Sequence, residues 1–305
     1  MLLLEQMIIL FLLMAVGFYC YKKGIITDET SKKISAIVVN IANPAMILTG
    51  CMSDEKIEGR ELLMVAVIVV SIYVVLMLLA TCMPHLLKVE KESRGTYRNM
   101  TIFSNIGFMG FPVIAALYGS GALLYASLFT IPFNVLIYTY GIAVMLPESE
   151  QKEKQKMPLS RIFNVGVIAC IITMIVYLLK IPVPAFIKST TTHLSNLTAP
   201  LSMMVIGASM ATMDLKKMFT DVKLLIFSVI KLLVIPLVGV LIIRQFVDNS
   251  VICGVCMIML ATPVGSMTAM LAQQYDGDYE MASRGVALTT VLSVVTMPLV
   301  SMILG

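Results

Sequence analysis

The stretch Asn105-Ile106-Gly107-Phe108-Met109-Gly110-Phe111-Pro112 places an amide, two glycines and a proline inside a run otherwise apolar enough to cross a bilayer. Glycine weakens a helix interior, and proline removes a backbone donor and clashes with the preceding turn. A helix over residues 97–118 is therefore predicted to break near its middle. Backbone groups freed at that depth cannot face lipid and must line a protein-walled or water-filled cavity. Ala261-Thr262-Pro263-Val264-Gly265-Ser266 repeats the same ingredients in a later apolar run. Where two such breaks meet, half-helix N-termini offer unpaired N–H groups and positive partial charge, enough to hold an anion without a full cationic shell. Asn105 would supply an amide, Thr262 and Ser266 hydroxyls, and Gly107, Gly110 and Gly265 close backbone approach, with Pro112 and Pro263 at the interrupted turns. The alternative is that proline and glycine only kink two packed helices, since both are common in membrane helices. Two interruptions in corresponding segments favour a site.

Lys231 sits in Ser228-Val-Ile-Lys-Leu-Leu-Val-Ile-Pro236, near the centre of another apolar run. A charge there costs about 2.5–3.5 kcal/mol on insertion scales. It is an anion partner or a residue holding the breaks together, or else a long side chain snorkelling to the interface. No Asp or Glu falls at mid-depth in any apolar run, which argues against a carboxylate as proton or sodium carrier. Asn40, Asn43 and Asn196 precede Pro44 and Pro200. Asn40 and Asn196 suit bonds between helices or a cap, and Asn43 is open to either role. Asn134, Tyr138, Tyr140 and Gln273 are weaker candidates. His85 and His193 fall near helix ends without clustered ligands, as interfacial polar residues do. No nucleophile and base set, phosphate loop or zinc motif is present, so neither an enzyme, a cofactor nor a metal is expected.

The 305 residues are 59% hydrophobic and 13% charged, with a mean hydropathy of +0.94. That is a polytopic membrane protein. The apolar run from Met1 to about Tyr21 is too long for a signal peptide core and reads as a first spanning helix. Six scattered cysteines make no disulfide framework, and Cys253 and Cys256, although spaced as C-x-x-C, read as small apolar filler. The net charge of +4 is modest and gives no reason to expect nucleic acid as a partner.

At roughly 20 apolar residues per crossing, ten spanning segments fall at 2–21, 34–51, 61–84, 97–118, 122–146, 162–180, 190–212, 221–243, 250–274 and 280–303. Loops after odd-numbered segments carry 16 Lys and Arg, those after even-numbered ones 5. The positive-inside rule then puts the first loop in the cytoplasm and both termini outside. A polar linker at 147–161 separates a first repeat, 1–146, from a second, 162–305. At a shift of 156, Asn40 to Pro44 aligns with Asn196 to Pro200, Ala126-Ser127 with Ala282-Ser283, and Asn105 to Gly110 with Ala261 to Ser266. Five segments per half is odd, so the copies insert with opposite orientation. The expected fold is an all-α membrane protein, a 5+5 inverted repeat with broken, crossing segments 4 and 9.

Asn105-x-Gly-x-x-Gly-x-Pro112 followed by Tyr118-Gly119, Asn43-Pro44, Lys231 with Pro236, Ala261-x-Pro263 and Tyr275-x-Gly277 together resemble the bacterial auxin efflux carrier family over nearly the whole chain. That family includes malonate permeases and relatives of plant auxin carriers. The resemblance implies a scaffold of segments 1, 2, 6 and 7, often a homodimer, and a moving transport domain of segments 3–5 and 8–10. Substrate would lie between them near Asn105, Pro112 and Pro263. Ala261 stands where the first half has Asn105, so the half-sites are chemically unequal. The expected function is a secondary carrier of a small organic anion, a carboxylate, across the cytoplasmic membrane. The rivals are a sodium-coupled symporter and a membrane ligand sensor.

Overall fold

The computed structural model describes residues 2–52, 59–145, 164–212, 219–275 and 277–304. The linker at 147–161 lies outside the described residues, as do Lys56, Lys216 and Lys217. The helical stretches in order are α1 (Leu2–Lys22), α2 (Asp28–Met52), α3 (Gly59–Leu86), α4 (Arg94–Ile102), α5 (Ile106–Tyr118), α6 (Ala122–Gly141) and α7 (Val165–Leu178). They continue as α8 (Ala185–Ser195), α9 (Thr198–Met210), α10 (Val222–Ile243), α11 (Ser250–Ala261), α12 (Ser266–Gln274) and α13 (Tyr279–Leu304). Among the described residues no strand forms, and six helices are long and apolar enough to cross a membrane: α1, α2, α3, α6, α10 and α13. α3 shows why. Val65, Val69, Ile72 and Leu76 pack inward while Leu63, Val67, Val70, Val74 and Leu78 stay exposed, so the helix is apolar all round, as a lipid-facing element must be.

Segments 4 and 9 of the sequence reading are each divided, into α4 and α5 and into α11 and α12. Segment 7 is divided too, at Asn196-Leu197, with Pro200 in the first turn of α9, where its missing N–H costs nothing. Two starts differ from expectation. α2 begins at Asp28 rather than 34, because Thr27 caps it and Glu29 pairs with Lys33 at 2.7 Å, extending the helix beyond its apolar part. α8 begins at Ala185 rather than 190, directly after Pro184.

In α2, α5 and α10 the helix widens into a π turn that ends two residues before a proline: Val38–Ala42 before Pro44, Ile106–Gly110 before Pro112, Ile230–Val234 before Pro236. A proline ring clashes with the carbonyl four residues back. Shifting the bonds to five residues back, as in Gly110 N–H to Asn105 O at 3.1 Å, relieves the clash and keeps the helix continuous. α1 packs against α9 through glycine: at Gly207 an added Cβ would lie 2.8 Å from the Met14 carbonyl carbon, and at Gly17 2.7 Å from that of Met204. Small residues that bring backbones together are the usual device for helix association in lipid.

Polar contacts gather the loops at two ends of α3. At its start Glu61 accepts from Tyr125 at 2.9 Å and from Asn249 at 3.3 Å. Beyond its other end Lys223 donates to the Lys88 carbonyl at 2.9 Å, Ser93 bonds Asp278, and Arg284 meets Asp221 at 3.8 Å.

Candidate functional site

α4 ends at Ile102, and the chain turns through Phe103 (φ −94°, ψ 93°) and Asn105 (φ −78°, ψ 60°) before α5 begins. The interruption therefore precedes Gly107, Gly110 and Pro112, which all lie within α5. The expectation that Pro112 itself breaks the helix is corrected by the π turn that absorbs it. In the second interruption Thr262 (φ −61°, ψ 144°) and Gly265 (φ −74°, ψ 140°) are extended, with Pro263 between them. α5 and α12 thus start 160 residues apart, one helical turn beyond the 156 of the sequence alignment.

The two interruptions pair. Asn105 N–H donates to Pro263 O at 2.7 Å, Gly265 N–H to Phe103 O at 2.8 Å, and Ser104 and Val264 form an isolated antiparallel bridge. These bonds satisfy backbone groups that would otherwise be orphaned in an apolar interior. Gly265 eases the approach, since a Cβ there would lie 3.1 Å from Ser104 O and 3.3 Å from Phe103 O, closer than ordinary contact. Thr289 of α13, not anticipated from sequence, accepts from Val264 N–H at 3.0 Å.

Lys231 is fully buried in the π turn of α10. It does not snorkel: its Nζ donates to Thr101 O at 3.1 Å and Ser104 Oγ at 2.7 Å. Its amino group sits at the C-terminal end of α4, where the macrodipole is negative. Among the described residues it is the one fully buried charged side chain, and no buried carboxylate accompanies it.

Asn105 caps α5, its Oδ1 accepting from Phe108 N–H at 3.2 Å. Its Nδ2 is buried with no hydrogen-bond partner, and so are Asn43 Oδ1 and Thr198 Oγ1. Asn43 lies over Gly107, whose missing Cβ would come within 2.9 Å of Asn43 Nδ2, and Gly110 faces Met259 and Thr262. Thr262 Oγ1 donates to Met259 O at 2.8 Å. Ser266, the first residue of α12, is half-buried, as are Gly107 and Phe108 in the first turn of α5. Every candidate singled out for the two stretches, together with Asn43 and Lys231, thus falls around the paired interruptions. Asn134 instead bonds Asn164 at the start of α7, and His85, His193 and Gln273 are exposed. A separate cavity of about 520 Å3, lined by Ser93, Tyr97, Asp221, Asp278 and Arg284, opens among the loops near Lys88.

Pro112 leaves the Phe108 carbonyl without its usual helical donor, and the Ser202 hydroxyl of α9 bonds it at 3.1 Å while also reaching Ala199 O at 3.2 Å. Ser202→Ala strands that carbonyl and is expected to destabilise the protein by about 1–3 kcal/mol. The check is the thermal unfolding midpoint in detergent, which should fall.

A family model described as membrane transport protein matches residues 2–301. The chain belongs to that family, the auxin efflux carriers. The carrier is 24% identical over 302 residues to an uncharacterized transporter of Methanocaldococcus jannaschii, covering 97% of each chain. It is 22% identical over 307 residues to an uncharacterized transporter of Methanothermobacter thermautotrophicus, covering 98% of each. It is a transporter and not an enzyme. Of the groups that build the carrier's interruption, Thr101, Ser104, Thr198, Ser202 and Thr289 went unmarked in sequence. Isolated hydroxyls in apolar helices are too common to stand out, although Ser104 adjoins Asn105 and Thr198 lies within the Asn196 to Pro200 stretch.

Proposed function

We propose that this carrier moves a small organic anion, a carboxylate, across the cytoplasmic membrane by alternating, elevator-like access. The observation that carries the reading is the pair of bonded helix interruptions beside one buried lysine and no buried carboxylate among the described residues. Such a lining favours negative over positive cargo. Unpaired Asn105 Nδ2, a donor, with Asn43 set against Gly107, supports recognition at the start of α5. In this reading residues 1–146 and 162–305 are inverted five-segment repeats joined by the 147–161 linker, and segments 4 and 9 cross at the interruptions. Segments 1, 2, 6 and 7 form a scaffold that dimerises, and the rest form the moving domain. The basic loops near Lys88, Lys223 and Arg284 face the cytoplasm, and both termini lie outside.

The test is flux in liposomes holding the full chain, with lactate, pyruvate, malonate and succinate, each radiolabelled, and protein-free liposomes as baseline. Saturable exchange of at least one acid is expected, and that acid should also raise the thermal midpoint of the purified carrier. Acceleration by an inward sodium gradient would favour the sodium-coupled reading, in which Thr262 and Ser266 hydroxyls hold the cation. Failure of every acid to move overturns the proposal.

A further inference from the structure

Lys231 has an unused hydrogen. An ammonium has three N–H donors, and the side chain makes two bonds, to Thr101 O and Ser104 Oγ. A neutral amine still has two donors, so both bonds and the pairing they support survive loss of the third proton. The burial is complete. Among the described residues no ion pair includes Lys231. α10 packs against α11 and α13 as well as reaching α4. The titratable side chains of α4 are Arg94, Tyr97 and Arg98, and the Tyr97 ring meets Phe227, one turn before Lys231, at 5.4 Å. On α11 the buried titratable groups are Cys253 and Cys256. On α13, Glu280 and Arg284 pair with each other at the loop end, where Arg284 also meets Asp221. None of these bonds Nζ.

We propose that Lys231 carries the coupling proton of this transporter, an ammonium while anion occupies the paired interruptions and an amine while they are empty. The step is R–NH2 + H+ to R–NH3+ as anion binds, reversed on the side where anion leaves. A loaded domain, ammonium plus a singly charged carboxylate such as lactate, pyruvate or the monoanion of a dicarboxylic acid, is neutral, and so is an empty domain with the amine. The two mismatched states carry net charge through the membrane and are disfavoured. Charge matching therefore makes the cycle electroneutral symport of one proton with one negative charge. The inference rests on the anion reading above.

The experiment uses the full chain in liposomes with the same four radiolabelled acids, the membrane potential clamped. It measures exchange at equal pH and net uptake driven by acid outside. In the natural protein the pH gradient should raise net uptake at least tenfold, with an internal pH dye reporting protons entering alongside. Lys231→Arg is permanently charged: it should lose gradient-driven uptake, and whatever exchange it retains, which uses only the loaded domain, should not respond to pH. Lys231→Gln keeps two N–H donors without a titrating proton, and its residual flux should ignore the gradient. Gradient-driven uptake in either variant equal to the natural protein's overturns the proposal. So does exchange in the natural protein without pH response or proton entry, which leaves the anion reading standing. If neither variant is active, proton entry with anion in the natural protein decides. If no acid exchanges at all, the anion reading falls and this inference with it.

Discussion

Asn105→Ala is expected to lower transport by about 10- to 100-fold, the loss of one hydrogen bond to a charged ligand at about 1.5–3 kcal/mol, while the protein still accumulates in the membrane. The side chain has two jobs that separate by atom. Oδ1 caps α5 through Phe108 N–H at 3.2 Å, and Nδ2 is buried and unpaired. Removing the cap alone costs about 0.5–2 kcal/mol, a modest fall in thermal midpoint. Asn105→Asp keeps an oxygen for the cap but replaces the donor by a negative charge. Its flux should be lost with the alanine variant's, at a midpoint no higher than the natural protein's, because an unpaired carboxylate is costly at a buried position. Flux per reconstituted protein and midpoint, measured together on both variants, check this. Full transport by Asn105→Asp would remove the amide from the site.

Gly207→Val should have the largest effect on stability. α9 and α1 touch through main chain there: an added Cβ would lie 2.8 Å from the Met14 carbonyl carbon and 3.0 Å from its Cα. Backbone cannot swing aside as a side-chain tip does, so the cost is at the upper end for overpacking, about 3 kcal/mol or more. Loss of monodisperse protein on extraction, or a steep fall in midpoint, is the expected readout. Gly59→Ala is the control, because nothing lies within 4 Å of a Cβ at that position. A Gly207→Val protein as stable as this control would show that the two helices slide apart freely.

The apolar runs, the two interrupted stretches and the buried lysine were legible because each departs from what a plain spanning helix needs. The position of the first interruption was not. Proline and glycine drew attention to Pro112, whereas the chain leaves the helix at Phe103, and Pro112 is absorbed by a π turn whose freed carbonyl finds Ser202, 94 residues away. A partner that distant leaves no local trace. The same holds for Lys231. Its depth was readable, but its choice between snorkelling and bonding depended on Thr101 and Ser104, which only the folded chain brings within reach. The start of α2 at Asp28 was readable in principle, since Thr27 before Asp28 and Glu29 is a capping signal that lay outside the apolar run being sought.

The widened turns ahead of Pro44, Pro112 and Pro236 each hold one residue more than an ordinary turn. Deleting a single residue from any of them would restore an ordinary turn, keep the downstream faces in place, and press the proline ring against the carbonyl four residues back. The additional residue and its proline are thus a matched unit, to be gained or lost together over evolution. One-codon deletions there should be tolerated far less than those in the loop at 88–93.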